Sequence, residues 1–210
     1  MTSGAMTRRA MKGATVPGNV KLAGMLAGVL LLGGCVSLGG KAPKQMISLT
    51  PHAMAPAGEL AGASLRDALV VLDPEADRRL DVQRVPVQVD DATIAYLKDA
   101  TWVERPARQF RRLLAETIRA KGKRLVVEAG DASELGKATL GGRLLDMGYD
   151  ARSQTVVLRF DAMRSDAAGN VVSRRFEATV PGVAPKVEAV APALNKAANE
   201  VAAQVADWVG

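Results

Sequence analysis

Residues 138–180 read ATLGGRLLDMGYDARSQTVVLRFDAMRSDAAGNVVSRRFEATV, three apolar stretches separated by two short polar segments. The segments 150–153 and 166–170 contain Asp, Asn, Gly and Ser, which are residues that turns favour. One face of the second stretch is apolar, through Val156, Leu158, Phe160 and Ala162. A period of two is typical of a strand with one buried face. The stretch therefore predicts three consecutive antiparallel strands.

The third stretch repeats this alternation. Its predicted inner face consists of Val172, Phe176, Ala178 and Val180. The opposite face of the second and third strands is charged, through Arg159, Asp161, Arg175 and Glu177. Antiparallel sheets commonly have one covered and one solvated face, and we expect the charged face to be the solvated one. The pair Gly141-Gly142 predicts an irregularity in the first strand.

Two amphipathic helices are predicted, one on each side of this stretch. The first covers 105–121, with Pro106 in its first turn and Gly122 at its C-terminal cap. Its apolar stripe consists of Phe110, Leu113, Leu114 and Ile118. The second covers about 192–208, with an earlier start if Pro192 only kinks it. Its apolar residues are Leu194, Ala198, Val201, Val205 and Trp208.

Shorter strands are predicted upstream, at 45–50, 67–72, 80–90, 93–97 and 124–128. The strand at 80–90 would place Val85, Val87 and Val89 on one face, and Pro86 favours an edge or irregular position for it. The strand at 93–97 would return as a hairpin. Together these patterns predict an α+β fold, a mainly antiparallel sheet packed against two long helices, in a single domain.

The composition closes most routes to catalysis. The chain has one cysteine, Cys35, and one histidine, His52. It can form no disulfide within one chain and no Cys/His zinc site, and a Cys-His or Ser-His-Asp apparatus would have to use His52. A lone histidine in a Pro/Ala-rich loop is typical of a bystander. We therefore predict no catalytic residue, no metal and no cofactor.

The N-terminus has the features of a bacterial export signal. The first 34 residues contain Arg8, Arg9, Lys12 and Lys21 and no acid, and an apolar run covers 22–32. That run is too short to span a bilayer, which needs about 20 residues. The segment Leu32-Gly-Gly-Cys35 resembles a lipobox, in which the cysteine is acylated. We expect a signal peptide at 1–34, lipidation (with palmitate among the acyl chains) at Cys35 and a tether at 35–44, ahead of a domain at 45–210.

Two further features concern sorting and partners. The residue after Cys35 is Val36, and by analogy with known lipoprotein sorting the absence of Asp there favours the outer membrane. Removing the four basic residues of the leader lowers the net charge from +6 to +2. The basic character is therefore largely a property of the leader, and we expect no nucleic-acid partner.

The segment 105–124 is strongly basic, with eight Lys or Arg residues and Glu116 as its one acid. It is either a surface for anionic headgroups or an acidic partner, through Arg108, Arg111 and Arg112, or a solvated helix face. Trp102, just upstream, is either an aromatic contact for a partner or a residue that packs the start of the helix onto the sheet.

From residue 69 onward the order of motifs resembles the ABC-type transport auxiliary lipoprotein family, which includes the paraquat-inducible protein C group. The residues that carry the resemblance are Leu69-Val-Val-Leu-Asp-Pro74, Arg79–Val87, Ile94-Ala-Tyr96, Ala100-Thr-Trp102, Pro106, Gln109–Ile118, Leu140-Gly-Gly-Arg-Leu144, Val156–Phe160, Arg174-Arg-Phe176 and Ala206-Asp-Trp208-Val. Together they extend over essentially the whole chain after Cys35, and the lipobox-like motif fits as well.

The resemblance implies a lipid-anchored protein on the periplasmic face of the outer membrane. Its implied partners are an ABC transporter permease and ATPase and a mammalian-cell-entry (MCE) type protein that carry lipid across the envelope. It would bind these partners, with a homo-oligomer also expected, and catalyse nothing. Two alternatives stay open: a structural or assembly lipoprotein unrelated to transport, and a periplasmic hydrolase using paired carboxylates.

Overall fold

The computed structural model describes residues 45–58, 67–122, 124–128 and 138–210. The predicted signal peptide, Cys35 and the tether lie outside these residues. In chain order the strands are β1 Gln45–Ile47, β2 Leu69–Val71, β3 Glu75–Ala76, β4 Pro86–Gln88, β5 Ile94–Tyr96, β6 Ala100–Trp102, β7 Val126–Glu128, β8 Ala138–Asp150, β9 Thr155–Ser165 and β10 Val171–Val180. The helices are α1 Pro106–Ala120 and α2 Val187–Val209.

Strands β8, β9 and β10 form the antiparallel meander that the sequence predicts. All four residues of the predicted inner face of β9 are fully buried. On β10, Phe176 and Ala178 are buried and Val180 is partly buried, but Val172 is 47% exposed. Phe176 contacts the ring of Trp208, which lies in the last turn of α2. Val172 lies four residues before Phe176, near the start of β10.

The expectation of a mainly antiparallel sheet was wrong, because the sheet is mixed. Its main path runs β10-β9-β8-β2-β7, and β2 is parallel to both β8 and β7. β3 and β4 also pair parallel to β8, and β4 forms the predicted hairpin with β5. A parallel pair needs a crossover connection. Helix α1 lies in the connection between β2 and β7, and a crossover of this kind leaves no signal in local residue spacing.

Both helices cover the inner face of the sheet. Helix α1 packs on β2 and β7, α2 packs on β9 and β10, and the helices contact each other. Phe110 of α1 meets Phe160 of β9 edge to face, with ring centroids 5.2 Å apart. Edge-to-face pairs of this kind contribute about 0.5–1.5 kcal/mol beyond their burial. This layer is the core that positions every surface described below, in an α+β domain.

Both predicted ends of α1 and the predicted C-terminal end of α2 are confirmed within one or two residues. Pro106 is the first residue of α1, and Gly122 follows its C-cap with φ +66°. The backbone N–H of Gly122 donates to the carbonyl of Arg119 at 2.9 Å. A left-handed residue after the last turn is a common helix end and favours glycine. Helix α2 starts at Val187, five residues before Pro192. This agrees with the alternative in which the helix continues through Pro192.

Two details of the strands differ from expectation. The predicted strand at 80–90 is reduced to β4, and Val89 is exposed. Pro86 is the first residue of β4, a strand position that tolerates the missing N–H. The irregularity in β8 falls at Leu145, because Leu144 pairs with Phe160 and Asp146 pairs with Arg159. Gly141 and Gly142 stay in regular register with β9, but the φ of Gly142 is +133°, so the backbone is irregular where the glycine pair predicts it.

Residues 45–58 form an extended N-terminal arm. β1, at its start, pairs parallel with β6 in a separate two-stranded sheet. Side chains on both helices then hold the arm. The Gln109 side-chain oxygen accepts the Leu49 N–H at 3.0 Å, and the Asn199 side-chain oxygen accepts the His52 N–H at 2.7 Å. These amides satisfy backbone groups that an irregular segment would otherwise leave unpaired.

Candidate partner-binding surfaces

The face of the sheet opposite the helices is charged, and we call it the outer face. Arg159 of β9 pairs with Asp146 of β8 and with Glu177 of β10, both at 2.6 Å. Arg79 pairs with Asp146 from the other side at 2.5 Å. These four residues form one connected row across three strands. The predicted charged face of β9 and β10 is confirmed, and Arg79 and Asp146 extend it.

A second row of charges lies beside the first. Arg175 of β10 holds Asp161 of β9 with two hydrogen bonds of 2.6 Å. The hydrogen bond from Arg175 lowers the pKa of Asp161, and the nearby Arg159 and Arg143 act in the same direction. Arg143 of β8 lies directly opposite Asp161 in the strand register and itself pairs with Asp77. Isolated exposed pairs contribute little to stability, but connected pairs fix the direction of each side chain.

An open groove with a volume of about 710 Å³ lies on the outer face. It lies over Gly141, which has no side chain, and its apolar lining comes from Leu72 and Met163. Met163 is 49% exposed. Ser173 and Arg175 line the side toward β10.

The basic helix is not a bare cationic surface. Arg108 lies 3.5 Å from Glu104 and 4.0 Å from Asp73, and Arg112 also pairs with Glu104. Arg111 is only 15% exposed and pairs with Asp73 at 3.3 Å. The acids that pair with this stretch from outside it are Asp73, Asp81, Glu104, Glu128 and Asp207.

The folded chain therefore compensates most of the charge that the sequence places on α1. Arg108 and Arg112 stay exposed, with about 60% and 52% of their side chains accessible. Arg111 is turned toward the body of the protein. Of the three arginines singled out in the sequence, two are exposed and the third holds two acids in place.

Trp102 lies in the core. It is fully buried in β6, opposite Ile47 of the arm, and its backbone N–H donates to the Gln83 carbonyl at 2.9 Å. Of the two interpretations that the sequence left open, this burial agrees with Trp102 as a packing residue and not with Trp102 as an exposed aromatic contact for a partner. A fully buried ring presents no surface to a partner.

The carboxylates near 90 form a turn. Asp90 accepts the backbone N–H groups of Ala92 and Thr93 at 2.9 and 2.8 Å. The hydrogen bond from Ala92 is the largest of the effects that lower its pKa. Within the ranges that the structure describes, no three His, Cys, Asp or Glu side chains are grouped to hold a metal ion. The His52 side chain is exposed.

Several residues of these surfaces carry no signal in the sequence. Asp146, Arg143 and Arg79 find their partners 13 to 67 residues away along the chain. The bulge at Leu145 also moves Asp146 onto the outer face, where Arg143 already lies. Strict alternation would place these two residues on opposite faces. Only the alternating charges of β9 and β10 pointed to this face in advance.

In the described part of the chain no helix is both long and apolar enough to cross a bilayer. Two solved structures are similar in fold. Protein XCC0632 from Xanthomonas campestris, of the family DUF330, has a TM-score of 0.65 at 18% identity, over 79% of this chain and 94% of that one. An uncharacterized protein has a TM-score of 0.59 at 15% identity, over 79% of this chain and 100% of that one.

No curated protein matches the sequence. A family model does, over residues 48–206, a range that starts in the arm and ends in the last turns of α2. Its description is an ABC-type transport auxiliary lipoprotein component. The match includes α1, α2 up to Ala206, the whole outer face and the strands from β2 onward. The chain belongs to the ABC-type transport auxiliary lipoprotein component family.

Proposed function

We propose that this protein is a lipoprotein of the outer membrane, anchored at Cys35 on the periplasmic side, that serves an ABC/MCE-type lipid transport system by binding its protein components. The observation that carries the proposal is the family match over 48–206. The lipobox-like motif Leu32–Cys35 supports the anchor, and Val36 supports the outer membrane.

The surfaces support binding over catalysis. Exposed arginines on α1 lie among carboxylates, and the outer face is built of paired acids and bases. Paired charges of this kind give specificity and association rate at protein interfaces. We place the partner contact at Arg108 and Arg112, with Arg111 as the residue that holds Asp73 and Glu128 in position behind them.

Isolation of the full-length, lipidated protein from detergent-solubilised membranes tests the proposal. We expect an MCE-domain protein and ABC transporter subunits to be recovered with it. Cys35→Ala should abolish incorporation of a palmitate analogue and remove the protein from the outer-membrane fraction. Recovery of barrel-assembly or cell-wall proteins alone would favour a structural lipoprotein. Unchanged labelling of the Cys35 variant would contradict the anchor.

The contact surface is tested by two double variants. The double variant Arg108→Ala/Arg112→Ala should reduce the amount of partner recovered. It should also make binding of the partner less sensitive to salt, because exposed charges act mainly on the association rate. The matched control is Arg143→Ala with Arg175→Ala, which removes two arginines from the outer face. If the control weakens binding and the α1 variant does not, the contact lies on the outer face.

A further inference from the structure

Two arginines of the meander lie on its inner face, in the alternation that is otherwise apolar. Arg164 of β9 shares the face of Phe160, and Arg174 of β10 shares the face of Phe176. The other charged residues of these two strands lie on the outer face, and all of them form ion pairs. Arg164 and Arg174 have no ion pair with any residue that the structure describes, so the charge rows of the outer face do not account for them.

Aromatic rings hold both guanidinium groups. The Cζ atom of Arg164 lies 4.9 Å from the centroid of the Trp208 ring, and the Cζ atom of Arg174 lies 5.0 Å from the centroid of the Phe176 ring. The two rings contact each other edge to face, with centroids 5.6 Å apart. Arg164 also donates from its side chain to the Trp208 carbonyl at 3.2 Å. We call these four residues the arginine–aromatic patch.

This arrangement leaves hydrogen-bond donors available. A guanidinium group is planar and stacks on aromatic faces, and its N–H donors point outward in its own plane. Arg164 uses one donor on the Trp208 carbonyl, and no described residue accepts a hydrogen bond from the Arg174 side chain. A carboxylate accepts two parallel hydrogen bonds from such a fork, and a side chain that a ring already holds loses less freedom on binding. The patch is therefore preorganised for carboxylate oxygens.

The strand register fixes the spacing of the two arginines. Arg164 lies directly opposite Val172, and Arg174 lies two residues further along β10 on the same face. Diagonal neighbours of this kind are about 7–8 Å apart. In an extended chain, two residues separated by one other lie on the same face about 7 Å apart. Two acidic residues in this spacing on an extended segment therefore match the two guanidinium groups.

The patch is accessible and has an apolar neighbour. Arg174 is exposed, and Arg164 and Trp208 are half-buried. Val172, which lies beside both arginines on the inner face, is 47% exposed. An apolar side chain of a partner, next to its acids, would remove Val172 from water, and burial of apolar surface is favourable.

The acids next to the patch in sequence are engaged elsewhere. Asp166 accepts the backbone N–H groups of Ala168 and Asn170 in its own turn, both at 2.9 Å. Asp207, which precedes Trp208, pairs with Lys121 at 2.7 Å. Neither carboxylate is in an ion pair with an arginine of the patch. A carboxylate for these arginines therefore has to come from outside the described fold.

We propose that the arginine–aromatic patch binds an extended acidic segment of another protein, through two carboxylate side chains separated by one residue. The partner segment also carries an apolar residue that covers Val172. This surface is separate from Arg108 and Arg112 of α1, which Glu104 already pairs with. The inference does not depend on the identity of the transport partner.

Binding of a synthetic peptide tests the proposal. The probe is Val-Thr-Glu-Thr-Glu-Thr-Val, amidated at its C-terminus and labelled with an uncharged dye at its N-terminus, and its twin has Gln in place of both Glu. Fluorescence anisotropy measures the binding of each peptide to the full-length, lipidated protein in neutral detergent at low salt. We expect the Glu peptide to bind at least about tenfold more tightly than the Gln peptide. Its binding should weaken as salt is added.

Variants of one arginine locate the contact. Arg174→Ala should weaken binding of the Glu peptide by about tenfold or more. Arg174→Lys should restore only part of the affinity, because an ammonium group keeps the charge but lacks the planar fork. The matched control is Arg84→Ala. Arg84 lies over the Tyr96 ring at 3.9 Å, also without a described ion pair, next to β4, which pairs with the opposite end of β8.

Each outcome decides for or against the patch. Loss of binding with Arg174→Ala, unchanged binding with Arg84→Ala and equal melting temperatures support the proposal. Absence of binding, equal binding of the two peptides, or an equal effect of Arg84→Ala overturns it. Absence of peptide binding with a response of tryptophan fluorescence to added phosphatidylglycerol, removed by Trp208→Phe, also overturns it and assigns the patch to lipid headgroups. The assay contains no transport component, so its failure and a failure of the proposed function are distinguishable.

Discussion

At the scale of single residues, Gly142 has the least room for a side chain among the glycines that the structure describes. Its φ is +133°, and a Cβ there would lie 2.0 Å from the carbonyl oxygen of Asp161. The neighbouring Gly141 has ordinary backbone geometry, and its nearest obstacle is the end of the Leu72 side chain at 3.3 Å. Two adjacent glycines in one strand therefore have different physical requirements.

Gly142→Ala should destabilise the fold by at least about 1–3 kcal/mol from backbone strain alone. The clash with β9 adds to this, because a backbone carbonyl cannot move as a side chain can. Gly141→Ala is the matched control and should cost less than about 1 kcal/mol, since Leu72 can shift. Urea denaturation of both variants measures the difference. Equal stabilities would show that β8 does not approach β9 at Gly142 in this way.

Leu114 tests the predicted apolar stripe of α1. Its side chain is 1% exposed, and Leu114→Ala should lower the free energy of unfolding by about 2–5 kcal/mol. Arg108→Ala on the same helix is the control. It removes a longer but exposed side chain and should cost under about 1 kcal/mol. Chemical denaturation compares them, and a Leu114 effect as small as the control would place Leu114 outside the core.

At the scale of elements, the N-terminal arm depends on a few buried amides. Asn199 accepts the His52 N–H and donates to the Thr50 carbonyl at 2.9 Å. Asn199→Ala removes the side-chain partner of both backbone groups and so weakens the attachment of the arm to α2. We expect faster hydrogen exchange at 49–52 with little change in β9. The control is Asn195→Ala, which removes only an exposed hydrogen bond to Thr50.

An Asn199 variant with unchanged exchange in the arm would show that β1 alone holds it. Exchange that rises equally in β9 would show that the arm and the sheet unfold together. The first result would mean that the helix amides do not hold the arm in place. The second would mean that the arm unfolds as part of the core.

The outer face gives the protein an acid-sensitive element. Since the hydrogen bond from Arg175 lowers the pKa of Asp161, the unfolded state binds more protons than the folded state as pH falls. The stability from this pair is therefore present above the unfolded pKa, about 4, and is lost as pH falls through the lower folded value. Asp161→Asn should lower the free energy of unfolding at pH 7. The difference in this free energy between the variant and the natural protein should become smaller below about pH 4.

Urea midpoints at pH 7, 5 and 3 measure this gap. Arg175→Ala should reproduce the same narrowing, because it removes the cause of the shift and leaves the carboxylate. A gap that stays constant with pH in both variants would show that the pair is not formed in solution.

The elements differ in how far their sequence determines them. The stripe of α1 and the alternation of β9 are local, and both were predicted correctly. The parallel pairing of β2 with β7 and β8 depends on where a crossover returns, which no local spacing encodes. Asp146 reaches the outer face only because Leu145 is an extra residue in β8. A one-residue bulge reverses the alternation for every residue after it, so the prediction of that face was incomplete.

At the scale of the whole molecule, charge illustrates the same limit. The window 105–124 has a large basic excess in the sequence, but its partners come from both neighbouring and distant segments. Glu104 lies just before the window, and Asp207 lies in α2 at the other end of the chain. Folding brings opposite charges together from regions that a sequence window separates. Such an excess is a property of a segment and does not become the property of a surface.

The N-terminal arm also has a mechanical consequence. The chain enters the described fold at Gln45, whose side chain donates to Glu188 of α2, and the next contacts along the arm alternate between the two helices and β6. A pulling force on the preceding segment would therefore act first on the N-terminal arm and, through its contacts, on the two helices. Helix α2, which contacts the arm through Glu188, Asn195 and Asn199, packs directly on β9 and β10 of the meander. Under such a force the N-terminal arm can detach from the helices while the sheet stays folded.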